Sequence, residues 1–119
     1  MTTAAERNVA SAEAYYKAME EKDVSGMAQY LHSDVHLVGP MDALTGKEAV
    51  LGAAKRLFNL IRSIKVRAKL GSGDQVVLTY DMDFAEPVGI CRTAVFMTFK
   101  DGLIARSELF FDARPFEKK

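Results

Sequence analysis

The chain has 119 residues, sixteen basic and sixteen acidic side chains, and an apolar share of 49%. That length fits one domain, 1–119, able to bury a real core. Balanced charge gives no ground for a nucleic-acid partner or a membrane surface. No apolar run approaches the roughly 20 residues of a membrane span. Met1–Arg7 lacks the basic and apolar regions of a signal peptide, and Cys91 is the single cysteine. The expected setting is therefore the reducing cytoplasm, with no internal disulfide framework.

Thr3-x-x-Glu6 is a capping box and opens the first helix. Val9, Ala12, Tyr15, Tyr16 and Met19 form its apolar stripe. Asp23 is an N-cap for a second, short helix running toward Leu31, with Gly26 inside it. His32-Ser33-Asp34 reads as a turn, and Val35–Val38 as a short strand closed by Gly39-Pro40. Thr45-x-x-Glu48 is a second capping box, opening a helix whose stripe is Val50, Leu51, Ala54, Leu57, Phe58 and Ile61. From Ile64 the period changes to two. Ile64, Val66, Ala68 and Leu70 alternate with Lys65, Arg67 and Lys69, which predicts a half-buried strand. Gly71–Asp74 is a turn, and Gln75–Ala85 a long strand. Ile90–Lys100 and Leu103–Asp112 are strands joined by Asp101-Gly102, a pair that favours a type I′ hairpin because both residues tolerate positive φ.

Helices followed by strands predict an α+β fold. The short strand connections predict an antiparallel sheet. Curved and wrapped on the long N-terminal helix, such a sheet leaves a cavity. A two-residue hairpin loop sets Lys100 opposite Leu103. Continued without interruption, it sets Thr98 opposite Ala105, Met97 opposite Arg106, Phe96 opposite Ser107 and Val95 opposite Glu108.

This order of elements, with Ala14–Met19 and Asp23–Gly26 at the first two helices, Gly39-Pro40 after the first strand and Thr45–Glu48 before the third helix, resembles ketosteroid isomerase and the SnoaL-like proteins. The resemblance spans nearly the whole chain. It implies the cone-shaped fold of the nuclear transport factor 2-like, or cystatin-like, superfamily: a curved antiparallel sheet on a long helix, with two further helices. It is specific for fold and not for chemistry, since the superfamily holds isomerases, cyclases, hydrolases, dehydratases and silent binding subunits. Ketosteroid isomerase uses a carboxylate base with a tyrosine and a protonated aspartic acid as oxyanion hole. By resemblance its tyrosine matches Tyr15, its base falls on Gly39 and its aspartic acid on Val95. One of the three survives.

The uninterrupted register offers a replacement. Opposed residues share a face, so Glu108 would join Val95 on the pocket wall, and Arg106 and Asp112 would follow by the period of two. A carboxyl in the apolar row Cys91, Thr93, Val95, Met97, Phe99 would have a raised pKa, as an acid or base needs. Arg106 would orient it or clamp an anionic group. The expected catalytic set is thus Tyr15, Glu108 and Arg106. The plainer alternative is an ion pair on the outer sheet face. Asp81 and Asp83 share one strand face, either a proton-sharing pair in the pocket or a solvated outer face. His32 and His36 lack a third ligand at metal spacing, so no metal is expected. Cys91 reads as a buried structural thiol. Tyr15 and Tyr16 point about 100° apart, so one faces the pocket centre. Ala53-Ala54 would widen the pocket mouth.

No phosphate-binding loop, zinc spacing or nucleophile elbow is present, so no cofactor is expected. Two functions remain. One is acid/base chemistry as an isomerase, cyclase or hydrolase on a hydrophobic small molecule. The other is a non-catalytic ligand-binding or protein-interaction domain. Homodimerisation is expected through the outer sheet face, with Phe96, Leu109 and Phe111 on it.

Overall fold

In the computed structural model, residues 2–117 are described. Helix α1 spans Ala4–Glu20 and opens on the expected capping box: Thr3 Oγ1 accepts from Glu6 N at 3.1 Å, and Glu6 Oε1 accepts from Thr3 N at 2.9 Å. Helix α2, Val24–Ala28, is capped by Asp23, whose Oδ1 accepts from Gly26 N at 2.9 Å. A Cβ on Gly26 would lie 2.5 Å from Asp23 Oδ2, so the glycine makes room for its own cap. Strand β1 then runs Leu31–Val38, which absorbs the expected turn at His32–Asp34. Those residues lie where the pairing of β1 shifts, and Asp34 N donates to His32 Nδ1 at 3.0 Å in place of a ladder partner.

The second capping box does not form. Thr45 belongs to a short strand, β2 (Ala43–Thr45), opposite His36, and its Oγ1 lies 3.2 Å from His36 Nδ1. Helix α3, Lys47–Leu57, starts instead from Gly46 at φ 96°, with no side-chain cap. Strand pairing has taken the hydroxyl that would have capped it. Strands β3 (Ile61–Ser72), β4 (Gln75–Phe84), β5 (Ile90–Lys100) and β6 (Leu103–Phe110) follow, and the chain ends in a single helical turn, α4 (Arg114–Glu117). Asp101 and Gly102 both have positive φ, 55° and 78°, as the hairpin prediction required.

The six strands form one sheet in the order β2-β1-β6-β5-β4-β3. It is antiparallel except where β1 runs parallel to β6. Connection length could not reveal that pair, because five elements separate the two strands in sequence. Helix α1 lies across β3 and β4, where Gly71 allows close approach: a Cβ there would sit 2.6 Å from Val9 Cγ2. Glu20 Oε2 accepts from Ile64 N at 2.9 Å, and Lys22 Nζ, in the turn after α1, donates to Ile61 O at 3.2 Å, so the end of α1 and its turn also satisfy backbone groups of the edge strand β3.

Three bulges on β3 and β6 reset the faces of the sheet, the first leaving Arg62 as the extra residue between Ile61, opposite Phe84, and Ser63, opposite Asp83. On β3, Val66 is opposite Tyr80 and Ala68 is opposite Thr79, leaving Arg67 as the extra residue. Beyond it Lys69 turns to the helix side, 3.1 Å from Glu13 of α1, and Leu70 turns outward, 71% exposed. The expected inward row therefore holds only through Val66. On β6, Phe99 is opposite Ile104 and Thr98 is opposite Arg106, so Ala105 is the extra residue. Every later pair is displaced by one: Met97 opposite Ser107, Phe96 opposite Glu108 and Val95 opposite Leu109.

The core lies between α1, α2, α3 and the inner sheet face. Met27, Leu78, Val95, Met97 and Ile104 are fully buried in it. Among the described residues no helix is long and apolar enough to cross a membrane.

Candidate ligand cavity

A cavity of about 220 Å³ opens between α1, α3 and the inner sheet face. Its walls are mainly aliphatic and aromatic. Val50, Ala53, Ala54 and Leu57 of α3 line it, as do Tyr15, Tyr16 and Met19 of α1. The helical spacing of these residues puts them on faces turned toward the sheet. The small pair Ala53-Ala54 does border the space. Gly39, Met41 and Asp42, in the loop between β1 and β2, also border it. Phe111 and Phe116 do so from the C-terminal segment, their ring centroids 5.6 Å apart, with Phe116 also 5.3 Å edge-on from Phe84.

Apart from Asp42 at the margin and the Cys91 thiol, the polar side chains on this wall are hydroxyls. Tyr15, Tyr16, Tyr80, Thr93 and Ser107 all line the cavity. Both Tyr15 and Tyr16 reach it, against the expectation of one. Their rings meet edge to face at 5.2 Å, and Tyr80 O–H donates to Tyr16 Oη at 3.3 Å. Burial pushes the hydroxyls of all three tyrosines well above the ordinary tyrosine range. They are neutral hydrogen-bonding groups at any physiological pH. Thr93 Oγ1 lies 3.6 Å from Cys91 Sγ. Cys91 is half-buried and borders the cavity, rather than sitting sealed in the core as expected, and burial pushes its thiol up.

The hydroxyls of Tyr15 and Ser107 make no hydrogen bond within the described residues, although the two residues are only 4% and 5% exposed. No fully enclosed side-chain oxygen or nitrogen among the described residues lacks a partner. These two hydroxyls therefore open onto the cavity itself.

The structure does not bring Glu108 and Arg106 to Tyr15. The Ala105 bulge displaces the expected register by one residue, and a one-residue slip moves a whole row to the other face. Arg106 and Glu108 stand on the outer face, with Arg106 Nε 3.4 Å from Glu108 Oε2 and both side chains partly exposed. Ser107 and Leu109 take the inner positions. Leu109 and Phe111, expected on the outer face, line the cavity too. Asp112 pairs with Arg114 at 2.7 Å. Asp81 and Asp83 lie on the outer face of β4. Arg92 grips Asp81 with Nε–Oδ1 2.9 Å and Nη2–Oδ2 3.1 Å, and Arg62 lies 3.9 Å from Asp83. His36 is exposed. Gly39 and Val95 stand where the isomerase carboxyls would fall by resemblance; beside Gly39, whose N donates to Asp42 O at 2.8 Å, the Asp42 residue borders the cavity.

Sequence reasoning missed Ser107, hidden by the bulge, and Asp42, in a loop with no periodic signal. Asp42 is exposed at the margin of the cavity and is the only charged residue among the described residues that line it.

A family model, the SnoaL-like domain, matches residues 12–107. The chain belongs to that family. No curated protein matches it. Among solved structures, this SnoaL-like chain is similar to a protein from a soil-derived mobile gene cassette, with TM-score 0.88, 16% identity and 97% of each chain covered. It is similar to an NTF2-like protein from Cytophaga hutchinsonii, with TM-score 0.83, 17% identity, and 99% of this chain and 97% of that one covered. An LEH-like epoxide hydrolase from M. tuberculosis is similar at TM-score 0.80 and 14% identity, over 93% of this chain and 86% of that one. At these identities the likeness establishes the nuclear transport factor 2-like fold and leaves the chemistry to the site.

Proposed function

We propose that this SnoaL-like chain binds a neutral, largely apolar small molecule carrying an oxygen function, which the Tyr15 hydroxyl engages. One observation carries the reading: an apolar cavity whose interior polar groups are all neutral. A carboxylate brought there would leave water without a cation to receive it. An apolar cavity of about 150 Å³ admits benzene, so this larger one has room for a fused two-ring molecule.

The test is calorimetric titration with three probes of one shape: naphthalene, 2-naphthol and 2-naphthoate. The two neutral probes are expected to bind, and 2-naphthoate at least about tenfold more weakly than 2-naphthol. Ala53→Trp, which fills the space from α3, should weaken both neutral probes. No binding by the parent protein would sink the proposal.

A second reading is supported by Asp42, a carboxylate on the same cavity as Tyr15. With Tyr15 polarising a ketone oxygen, Asp42 would remove the proton from the adjacent carbon and return it to the enolate. Exchange of the α-protons of 2-tetralone in heavy water measures that step. Catalysed exchange that falls with both Asp42→Asn and Tyr15→Phe supports an enzyme. Exchange at the buffer rate leaves the binding reading alone.

We also propose that the outer sheet face pairs with a second copy. Leu70, Val77 and Phe96 form one row across it, with Phe110, 57% exposed, in the next. Charges of both signs flank them, Arg106 and Glu108 on one side and Asp81 and Arg92 on the other. An apolar strip bordered this way suits a self-complementary interface. Sedimentation at micromolar concentration should give twice the chain mass, and Phe96→Glu should halve it. A monomeric parent protein would remove the proposal.

A further inference from the structure

We infer that Ser107 is a specificity-determining contact, a second hydroxyl that reads the ligand alongside Tyr15. The inference rests on the cavity-binding reading and names a residue that reading does not need. Ser107 lies opposite Met97 on the inner sheet face, with Leu37 of β1 as its other neighbour. Both neighbours are apolar and offer no side-chain hydrogen bond of use. The residue is only 5% exposed, and its side chain borders the cavity and has no hydrogen-bond partner within the described residues.

A hydroxyl taken from water and left unpaired is unfavourable by about 1–3 kcal/mol. An alanine at this position would pack against Met97 and Leu37 without that penalty. The oxygen is therefore satisfied by what occupies the cavity. With water alone it hydrogen-bonds to that water. With a ligand present, an apolar face strips the water away and leaves Ser107 bare, whereas a ligand oxygen replaces it. Ser107 thus favours molecules with an oxygen on the side that faces β6 over hydrocarbons of the same shape. Being neutral, it can donate to a carbonyl or accept from a hydroxyl.

The Ala105 bulge is what delivers this residue. Were Ala105 paired in the ladder instead of looped out, Ser107 would point outward and a charged side chain would stand in its place. The same irregularity that removes Glu108 from the cavity installs a neutral hydroxyl there.

The experiment compares naphthalene and 2-naphthol binding in the parent protein and in Ser107→Ala. Loss of roughly 3- to 10-fold in affinity for 2-naphthol is expected from one neutral hydrogen bond, with naphthalene bound as well or more tightly because no hydroxyl is left bare. Equal losses for both probes, or no change for either, would overturn the role of Ser107 while leaving the cavity reading intact. Failure of both probes to bind the parent protein would overturn both. Ser107→Cys keeps the volume and nearly the shape while weakening the donor. It should show the same selective loss, and it serves if the alanine variant does not fold.

Discussion

The β4–β5 ladder and the β5–β6 ladder are built from similar residues and behave differently. From Gln75 opposite Thr98 to Asp83 opposite Ile90 the first runs without interruption. Val76, Leu78, Tyr80, Met82 and Phe84 all fall inside, and Thr79, Asp81 and Asp83 outside. The second breaks once, at Ala105, and everything after the break changes sides. Alternation states that neighbours on a strand face opposite ways. It does not state which parity is inside once a residue has been inserted. The β5–β6 ladder needs the insertion. Ile104 must face inward opposite Phe99, and strict alternation from there would carry Arg106 and Glu108 into an apolar interior. With one residue looped out, Ser107 and Leu109 go in and the charged pair goes out.

Exchanging the two residues Ser107 and Glu108, by Ser107→Glu with Glu108→Ser, is the sharpest way to break that contrast. The exchange sets a carboxylate opposite Met97 on the inner face and leaves length and composition unchanged. A charge left without a partner in the interior costs about 3–5 kcal/mol, so the variant should lose about that much stability or fail to fold. Urea unfolding measures it. An exchanged variant as stable as its parent would mean that the position after the bulge does not face the interior.

Single substitutions give a graded version. Leu78 is fully buried on the regular ladder, and Leu78→Ala should destabilise by about 2–5 kcal/mol. Leu109→Ala, on the half-buried cavity wall after the bulge, should lose less, about 1–3 kcal/mol. Glu108→Ala, next to it in sequence, should stay within about 0.5 kcal/mol, because it removes only an exposed ion pair. A large loss at Glu108 together with none at Leu109 would reverse the face assignment.

The same contrast explains what could be read in advance. Elements with a local chemical signal were legible: the Thr3–Glu6 box, the Asp23 cap, the Asp101-Gly102 turn and the alternation of β4. Order and class of the main elements followed from them, though not β2 or α4, and so did the resemblance to SnoaL-like proteins. The failures share a cause, which is competition from a partner distant in sequence. Thr45 carries a capping box but spends its hydroxyl on His36 across a strand pair. Lys69 and Leu70 continue the alternation of β3 in sequence, yet a bulge swaps them so that Lys69 reaches Glu13. Thr93, a cavity residue on the regular ladder, was therefore visible. Ser107 was not, although one clue existed: Ile104 and Leu109 are both apolar and differ by an odd number of positions, so only an insertion puts both inside.

The smallest effect expected is electrostatic, and it separates the two ladders once more. Asp81 is held by Arg92 across the regular ladder, and that guanidinium lowers its carboxyl. Asp112, just past β6, is held within its own turn: Arg114 Nε and Nη2 and the Arg114 backbone N–H all donate to it, at 2.7–3.1 Å. These bonds bring the Asp112 carboxyl down to about 2. A carboxyl depressed in the folded state adds stability above its unfolded value, about 3.9, and that stability is lost as pH falls through the folded value. The window for Asp112 is therefore about pH 4 down to about 2. Carbon-detected NMR titration should find its midpoint near 2, and Arg114→Ala should raise it part of the way toward about 3.9, because the backbone N–H of residue 114 still donates. Because Arg114 is only two residues away, the shift should survive in mild urea as long as the turn does, whereas the Asp81 shift should vanish when the ladder opens. A wild-type Asp112 midpoint near 4 would show that the turn does not hold in solution, and with it the approach of Phe116 to the cavity.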